Sequence, residues 1–239
     1  MKIVIVNGSH RKNGATAGIL NEMYRQLKKY GEAEGNVAEV EMIHAADLEL
    51  KYCVGCGSCY QTGECIYKDD MERLSLKIGN ADGVIFGSPT YASNVSGQMK
   101  VMIDRGHFVM EQLLYGKYAI SVATYENYGG RDCAKVLKRL FTYSGAKISG
   151  TMVVRNGFDK NPLEDIRLKR NVEKTVNRFY RDIVGKRKYE LQTMKHFMIF
   201  RMGIRPFVLR KGTQYDGVIR HWKECNIIVP GRNLDKNIP

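Results

Sequence analysis

Residues 2–16, KIVIVNGSHRKNGAT, set the reading of the whole chain. The β-branched run KIVIVNG (2–8) is apolar throughout, as a strand buried inside a parallel sheet must be. It breaks at Asn-Gly into a loop of small and hydroxyl residues, NGSHRKNGAT (7–16), which feeds directly into TAGILNEMYRQLKKYG (16–31). That stretch carries apolar residues at helical spacing, cationic residues in its last turn and a Gly stop. Such a loop aims backbone N–H groups and the positive helix end at an anion. Ser9, Arg11, Asn13, Ala15 and Thr16 are the candidate phosphate contacts, through hydroxyl, guanidinium, amide or main-chain donors. The loop matches neither the Gly-x-Gly-x-x-Gly dinucleotide fingerprint nor the Gly-Lys-Ser/Thr ending of a nucleoside-triphosphate loop. A tight turn before a capped helix is the plain alternative.

The same alternation recurs further along. NVAEVEMIH (36–44), DGVIFGSPTY (82–91), YAISVATY (118–125) and KISGTMVVRNG (147–157) read as strands. SGQMKVMIDRGHFVMEQLL (96–114, with Ser96 as N-cap), GRDCAKVLKRLFTYSG (130–145) and PLEDIRLKRNVEKTVNRFYRDIVG (162–185) read as helices. Strands alternating with helices predict an α/β fold with a parallel sheet and right-handed crossovers. Ligands of such sheets sit outside the carboxyl ends of the strands, at the topological switch point. That rule selects the loops after strands one, three and four. After strand three, Pro89 stiffens the turn, while Thr90, Tyr91, Ser93 and Asn94 offer polar edges and one aromatic face. After strand four, TYENYGGRD (124–132) is again Gly-rich and holds two tyrosines. A flat heteroaromatic ligand suits this mixture.

NGSHRKNGAT together with GSPTYASNVSGQMKVMIDR (87–105) resembles the NADPH-dependent FMN reductase family of flavodoxin-like proteins. The Gly-Ser-x-Arg loop, the Ser-Pro-x-Tyr segment and the Ser-Gly-x-x-Lys-x-x-x-Asp-Arg helix occur in the family's order over residues 1 to about 185. The resemblance implies a doubly wound five-stranded parallel sheet in the order 2-1-3-4-5. It implies FMN held at its phosphate by Ser9, Arg11, Asn13, Ala15 and Thr16. Pro89, Thr90, Tyr91 and Asn94 would meet the ring, with Thr124, Tyr125, Gly129 and Gly130 closing the far side. It further implies a dimer or tetramer.

The stretch CVGCGSCYQTGEC (53–65) places four of the six cysteines, Cys53, Cys56, Cys59 and Cys65, within thirteen positions. Thiolates spaced this way suit an iron–sulfur cluster or a tetrahedral zinc ion, and simple reduced thiols are the remaining alternative. Set between strands two and three, the motif is similar to that of the iron–sulfur flavoprotein branch of the family. The resemblance implies a 4Fe–4S cluster near the flavin, fed by ferredoxin. Cys133 is expected in the core, and Cys225 packed in the tail. His10 is read as helping to neutralise a phosphate, whereas His44, His107, His196 and His221 cap or pack.

The activity expected is that of an FMN-dependent oxidoreductase, passing electrons from ferredoxin or NAD(P)H to a quinone, oxygen species or other small acceptor. An NAD(P)H-dependent FMN or quinone reductase without a cluster, and a non-catalytic carrier or redox sensor, are the alternatives. No acid–base residue is demanded, and no Gly-x-Ser-x-Gly nucleophile elbow is present. The 239-residue chain opens without a signal-peptide pattern and has no apolar run long enough to span a bilayer, so a cytoplasmic location is expected. The net charge of +13 is uneven: residues 185–239 hold 12 Lys and Arg against 4 Asp and Glu. No nucleic-acid-binding signature accompanies it, and no nucleic-acid partner is expected. Residues 1–185 form the expected FMN-binding domain, and 186–239 a basic C-terminal extension. The extension's amphipathic MKHFMIFRMGIRPFVLRK (194–211), interrupted by Gly203 and Pro206, is read as an intersubunit arm in preference to a membrane-surface helix.

Overall fold

The computed structural model describes residues 1–33, 35, 39–157 and 160–227. Strands β1 (Lys2–Asn7), β2 (Glu39–His44), β3 (Gly83–Pro89), β4 (Tyr118–Tyr125) and β5 (Lys147–Arg155) pair in parallel in the order β2-β1-β3-β4-β5. This is the flavodoxin-like order expected, with its switch point between β1 and β3. The central strands are buried on both sides. In β1, Val4 and Val6 face one apolar core while Ile3 and Ile5 face the other.

Helices α1 (Ala15–Ala33) and α6 (Ile166–Val184) cover the second face through Leu20, Met23, Val176 and Phe179. Helices α3 (Asp70–Gly79), α4 (Gly97–Arg105) and α5 (Gly130–Tyr143) cover the first through Leu74, Met99, Leu137 and Phe141. The first three residues of the expected strand 36–44 lie outside the described residues. Of the expected helix 162–185, Pro162–Glu164 is a 3-10 turn, and Asp165 caps α6 by accepting from the Arg167 and Leu168 amides.

One expected helix is much shorter than its pattern. The apolar spacing of 96–114 predicts a single helix, but α4 ends at Arg105. His107 (φ 49°) and Gln112 (φ 58°) take left-handed backbone, turning 107–114 back so that Phe108 and Leu114 enter the first core. Burying both side chains repays the unfavourable backbone, of order 1–3 kcal/mol per residue.

The C-terminal part is helical: α7 (Glu190–Ile199), a π-helical turn (Phe200–Ile204), α8 (Arg205–Arg210) and α9 (Asp216–Glu224). Gly203 and Pro206 do not stop the helix; the π turn absorbs the former, and Pro206 sits in the first turn of α8, where its missing N–H costs nothing. Phe200, Val208, Val218 and Trp222 form a third small core, and the Trp222 indole donates to the Met110 carbonyl (2.7 Å). Among the described residues no helix is long and apolar enough to cross a membrane.

Candidate flavin cleft and cysteine segment

At the carboxyl edge of the sheet a cleft of about 370 Å³ opens over the switch point. Ser9, Arg11, Ala15 and Thr16 line it from the first loop, Pro89, Thr90 and Tyr91 from the second, and Thr124 and Tyr125 from the third. Local chemistry shapes each wall. Asn7 Oδ1 accepts from the Ser9 amide (3.0 Å), and Ser9 Oγ accepts from the Arg11 amide (3.1 Å), so the loop is folded in advance. It delivers the chain into α1, whose first amides have no intrahelical acceptor and point outward. Thr16 and Thr124 share a buried hydroxyl–hydroxyl bond of 2.6 Å that locks the first loop to the third.

The second loop is a tight hairpin in which Tyr91 and Asn94 exchange backbone hydrogen bonds of 3.0 and 2.9 Å. Its two central residues, Ala92 (φ 48°) and Ser93 (φ 61°), both hold left-handed backbone without being glycine. Strain of this kind persists where surrounding structure fixes it. Here Ser96 supplies the anchor: its amide donates to Ser88 Oγ (2.9 Å), its hydroxyl donates to the Gly8 carbonyl, and its oxygen caps α4. Tyr91 stays half exposed beside the cleft.

Four expected contacts lie elsewhere. Asn13 is exposed and off the cleft wall. The Asn94 side chain turns back to accept from the Val95 amide (2.8 Å) instead of facing a ligand. Gly129 and Gly130 act behind the wall. Gly129 (φ 81°) starts α5 directly against Ser93, and a Cβ on Gly130 would overlap the Tyr125 ring. Both permit the close approach of loops that do line the cleft. His10 is exposed and does not line it.

The structure adds residues the pattern missed. Asn156 and Gly157, after β5, close one end. Asn156 donates through its amide to the Tyr125 carbonyl (2.9 Å) and through Nδ2 to Gly157 and Lys160 carbonyls (2.7 Å each). The signal was present, since an Asn-Gly pair follows β5 directly, as one closes β1.

The residues present suit an anionic, flat cofactor. Thr90 Oγ1 is buried in the wall without a hydrogen-bond partner, a costly state that a ligand polar atom would relieve. Arg11 and the α1 amides supply positive charge to the lining, and Tyr91, Tyr125 and Tyr128 supply apolar surface.

Next to this cleft, after β2, comes the cysteine segment. His44 Nδ1 lies 3.0 Å from Asn7 Nδ2, and Lys12 pairs with Asp47 at 2.7 Å, so the two loops are tied together. The Lys12 hydrogen bond holds the Asp47 carboxyl below its usual range. Cys53 and Cys56 are exposed, while Cys59 and Cys65 are half-buried. A short helix, α2 (Ser58–Thr62), carries Cys59 between two left-handed glycines, Gly57 and Gly63. Among the described residues no three Cys, His, Asp or Glu side chains stand close enough together to hold a metal ion. The donor set is right for a thiolate-ligated group by type, but the thiols are not gathered around one point.

The far end of the segment is braced by Arg105, the last residue of α4, which is 1% exposed in its side chain. Its Nη1 and Nη2 grip Asp69 at 2.8 and 2.9 Å, Nη1 also donates to the Lys51 carbonyl (2.6 Å), and Nη2 reaches Cys65 Sγ (3.3 Å). Its guanidinium also packs over Tyr67 (5.1 Å). Such bidentate pairs fix geometry as well as charge. Beside Cys59, His107 lies 3.1 Å from Glu111. Burial lowers its pKa, but hydrogen bonds to Cys59 and Glu111 outweigh it and push the pKa up to about 10. Burial acts the other way on the Tyr60 phenol and pushes its pKa up to about 12. Cys133 is in the core as expected, whereas Cys225 is exposed at the end of α9, with His221 its nearest partner at 3.6 Å.

Comparison with known proteins agrees with this layout. The sequence pattern of NADPH-dependent FMN reductases matches residues 1–159. An iron–sulfur flavoprotein of Clostridioides difficile is 34% identical over 230 residues, covering 95% of this chain and 100% of that protein. An iron–sulfur flavoprotein of Archaeoglobus fulgidus is 38% identical over 133 residues, 54% of this chain and 56% of that one. Among solved structures, a flavone reductase superposes with a TM-score of 0.61 at 17% identity, over 80% of this chain and 66% of that one. An NADH:FMN oxidoreductase in its apo form gives 0.56 at 17% identity, over 80% and 92%. The structural likenesses speak for the fold; the sequence matches, near full length in one case, speak for descent. The chain belongs to the NADPH-dependent FMN reductase family of flavin-dependent oxidoreductases, in company with the iron–sulfur flavoproteins.

Proposed function

We propose that the protein is an FMN-dependent electron-transfer oxidoreductase whose four clustered cysteines hold a 4Fe–4S group. The observation that carries the flavin part is the cleft itself: three loops, selected in the sequence by the strand-end rule, line one cavity together with the start of α1 and with Tyr91. FMN, when bound, supplies the chemistry, accepting hydride or single electrons and releasing them one or two at a time. The protein's part is to bind and orient. Ser9, Arg11, Ala15 and Thr16 would receive the phosphate. Pro89, Thr90, Tyr91, Thr124 and Tyr125 would bound the ring and exclude water from one side. Asn13, Asn94, Gly129 and Gly130 retain at most an indirect part.

Support for the cluster is the donor set, four thiols with glycines at 55, 57 and 63 in left-handed backbone, and the names of the curated relatives. Cys53, Cys56, Cys59 and Cys65 would be its ligands. The net reaction moves two electrons from reduced ferredoxin or NAD(P)H to a quinone or an oxygen species, with protons drawn from solvent. A homo-oligomer, dimer or tetramer, is the expected assembly, with residues 186–239 as an extension to the flavin-binding part.

Protein prepared without oxygen is the test. Flavin near one per chain and iron near four per chain, with Cys56→Ala losing the iron and keeping the flavin, is the expected result. Protein that takes up no FMN on reconstitution overturns the reading at its root. Flavin with no iron in the parent chain removes the cluster and leaves a flavin reductase.

A further inference from the structure

The cysteine-bearing helix α2 holds itself together mostly by local bonds. Tyr60 and Gln61 amides donate to the Gly57 carbonyl, the Gly63 amide donates to Cys59, and the Ser58 and Thr62 hydroxyls donate to carbonyls between 58 and 64. Five helical residues closed on themselves are far too few to be stable alone. Contacts that reach out of α2 run largely to the C-terminal extension. Tyr60 stacks on Tyr215 with centroids 4.9 Å apart and planes 13° from parallel. Arg220 donates to the Thr62 carbonyl, the last of the helix.

Between these two contacts the backbones themselves meet. Gly217, in the first turn of α9, rests on the Thr62–Gly63 peptide. A Cβ there would lie 2.8 Å from Thr62 C and 2.9 Å from Gly63 Cα, and would overlap the Gly63 nitrogen. Gly63 for its part is left-handed (φ 83°) and closes α2. The crossing thus admits no side chain at Gly217, while a Cβ on Gly63 would meet only the Arg220 guanidinium, at 3.2 Å. Behind it, Val218 and Trp222 are fully buried, which anchors α9 to the body.

We infer that α9 with Tyr215 is a clasp on the cysteine segment. It holds α2 in place, sets where Cys59 points and limits access to it. Gly217, Tyr215 and Arg220 are positioning residues; none touches the flavin cleft. The consequence for bound iron rests on the cluster reading above, whereas the clasp itself is tested by thiol exposure alone.

The experiment uses the full chain, as purified and after chelation, and follows iodoacetamide labelling of each cysteine by mass spectrometry together with iron and flavin content. Gly217→Val forces α9 off α2, and Arg220→Ala removes one contact without disturbing any core. Both should raise the Cys59 labelling rate in chelated protein, Gly217→Val by about tenfold or more, while buried Cys133 and the flavin content stay unchanged. In protein holding iron, both should lose it faster to a chelator. Parent chain without iron but with the Cys59 response upholds the clasp while rejecting the cluster. Cys59 labelling in both variants equal to the parent overturns the clasp, whatever the iron content. Should Gly217→Val fail to fold, Arg220→Ala alone carries the decision.

Discussion

Replacing Asp69 by Ala should cost more stability than its position at the end of a surface loop suggests. Asp69 does three things at once. It grips Arg105 through both oxygens, accepts from the Lys51 amide (3.0 Å), and caps α3 by accepting from the Met71 amide (3.2 Å). The pair is withdrawn from water, with side-chain exposures of 1% for Arg105 and 8% for Asp69. Deleting one partner of a buried pair strands the other charge and costs roughly 3–5 kcal/mol, and losing an N-cap costs about 1 kcal/mol. The two terms overlap at one carboxylate, so about 4 kcal/mol is the expectation. For a chain of this size each kcal/mol shifts the midpoint by about 2–4 °C, which gives a fall of about 8–16 °C.

Asp69→Asn separates the terms, because the amide keeps an oxygen for the cap and loses the charge. Its midpoint should fall between those of the parent and the Ala variant. Circular dichroism melts of all three chains at one scan rate and pH 7 suffice. A midpoint for the Ala variant within about 3 °C of the parent would mean that the pair is worth no more than a solvated surface ion pair. The account of Arg105 as the brace of the cysteine segment would then be wrong.

Two other expectations follow from the same structure. Arg11→Ala combined with Thr16→Ala removes a cation and a hydroxyl from the lining proposed to receive the phosphate, and should weaken FMN binding by about 100-fold as read by flavin fluorescence quenching; unchanged affinity rejects that proposal. His196, on the buried side of α7 with Nε2 2.6 Å from Gln112 Oε1, has its pKa lowered by burial. The unfolded chain therefore binds more protons below its ordinary value of about 6.5, and this residue's contribution to stability is lost as pH falls below that value. Melts at pH 7.5 and 5.5 should show a smaller drop in His196→Gln than in the parent; equal drops exclude the titration of His196 as a contributor.

How much of this was legible follows from where the information lies. The strands could be read because a parallel sheet buries both faces, which leaves the apolar runs IVIV (3–6) and VIF (84–86) with no polar option. The cleft could be read because parallel strands all deliver their carboxyl ends to one edge. Its flanks could not. Asn94 and Gly129 have the residue types of ligand contacts, yet the sharp Tyr91–Asn94 turn spends the first on its own backbone and the second on the approach to Ser93. The end of α4 was hidden for a similar reason. HFVMEQLL keeps helical spacing, but Phe108 and Leu114 reach the core from an irregular path. Helix α3 is absent from the sequence reading although its signals are there, in the Asp69 cap, Asp70 and Glu72 in the first turn, and Met71, Leu74 and Ile78 at helical spacing. Helix α2 has no such pattern, since five residues between left-handed glycines complete little more than one turn.

The layout explains why a thiol-rich segment can coexist with an intact flavin cleft. Because β2 lies next to β1, the loop leaving β2 emerges beside the loop leaving β1, and the Asn7–His44 and Lys12–Asp47 contacts join the two at that edge. Yet the cysteine segment contributes nothing to either core that holds the sheet. Val4, Ile5, Leu20, Met99 and Phe179 are packed without it. Its own supports are separate: Arg105 and Asp69 at one end, α9 at the other. Order in the segment is therefore coupled to the sheet at one end, where Asp69 also caps α3 and Arg105 ends α4, and not through the cysteine residues themselves. Of the two supports, only α9 lies far from the cysteines in sequence, in the last quarter of the chain, so the thiols' order depends on both a near and a distant stretch of the sequence.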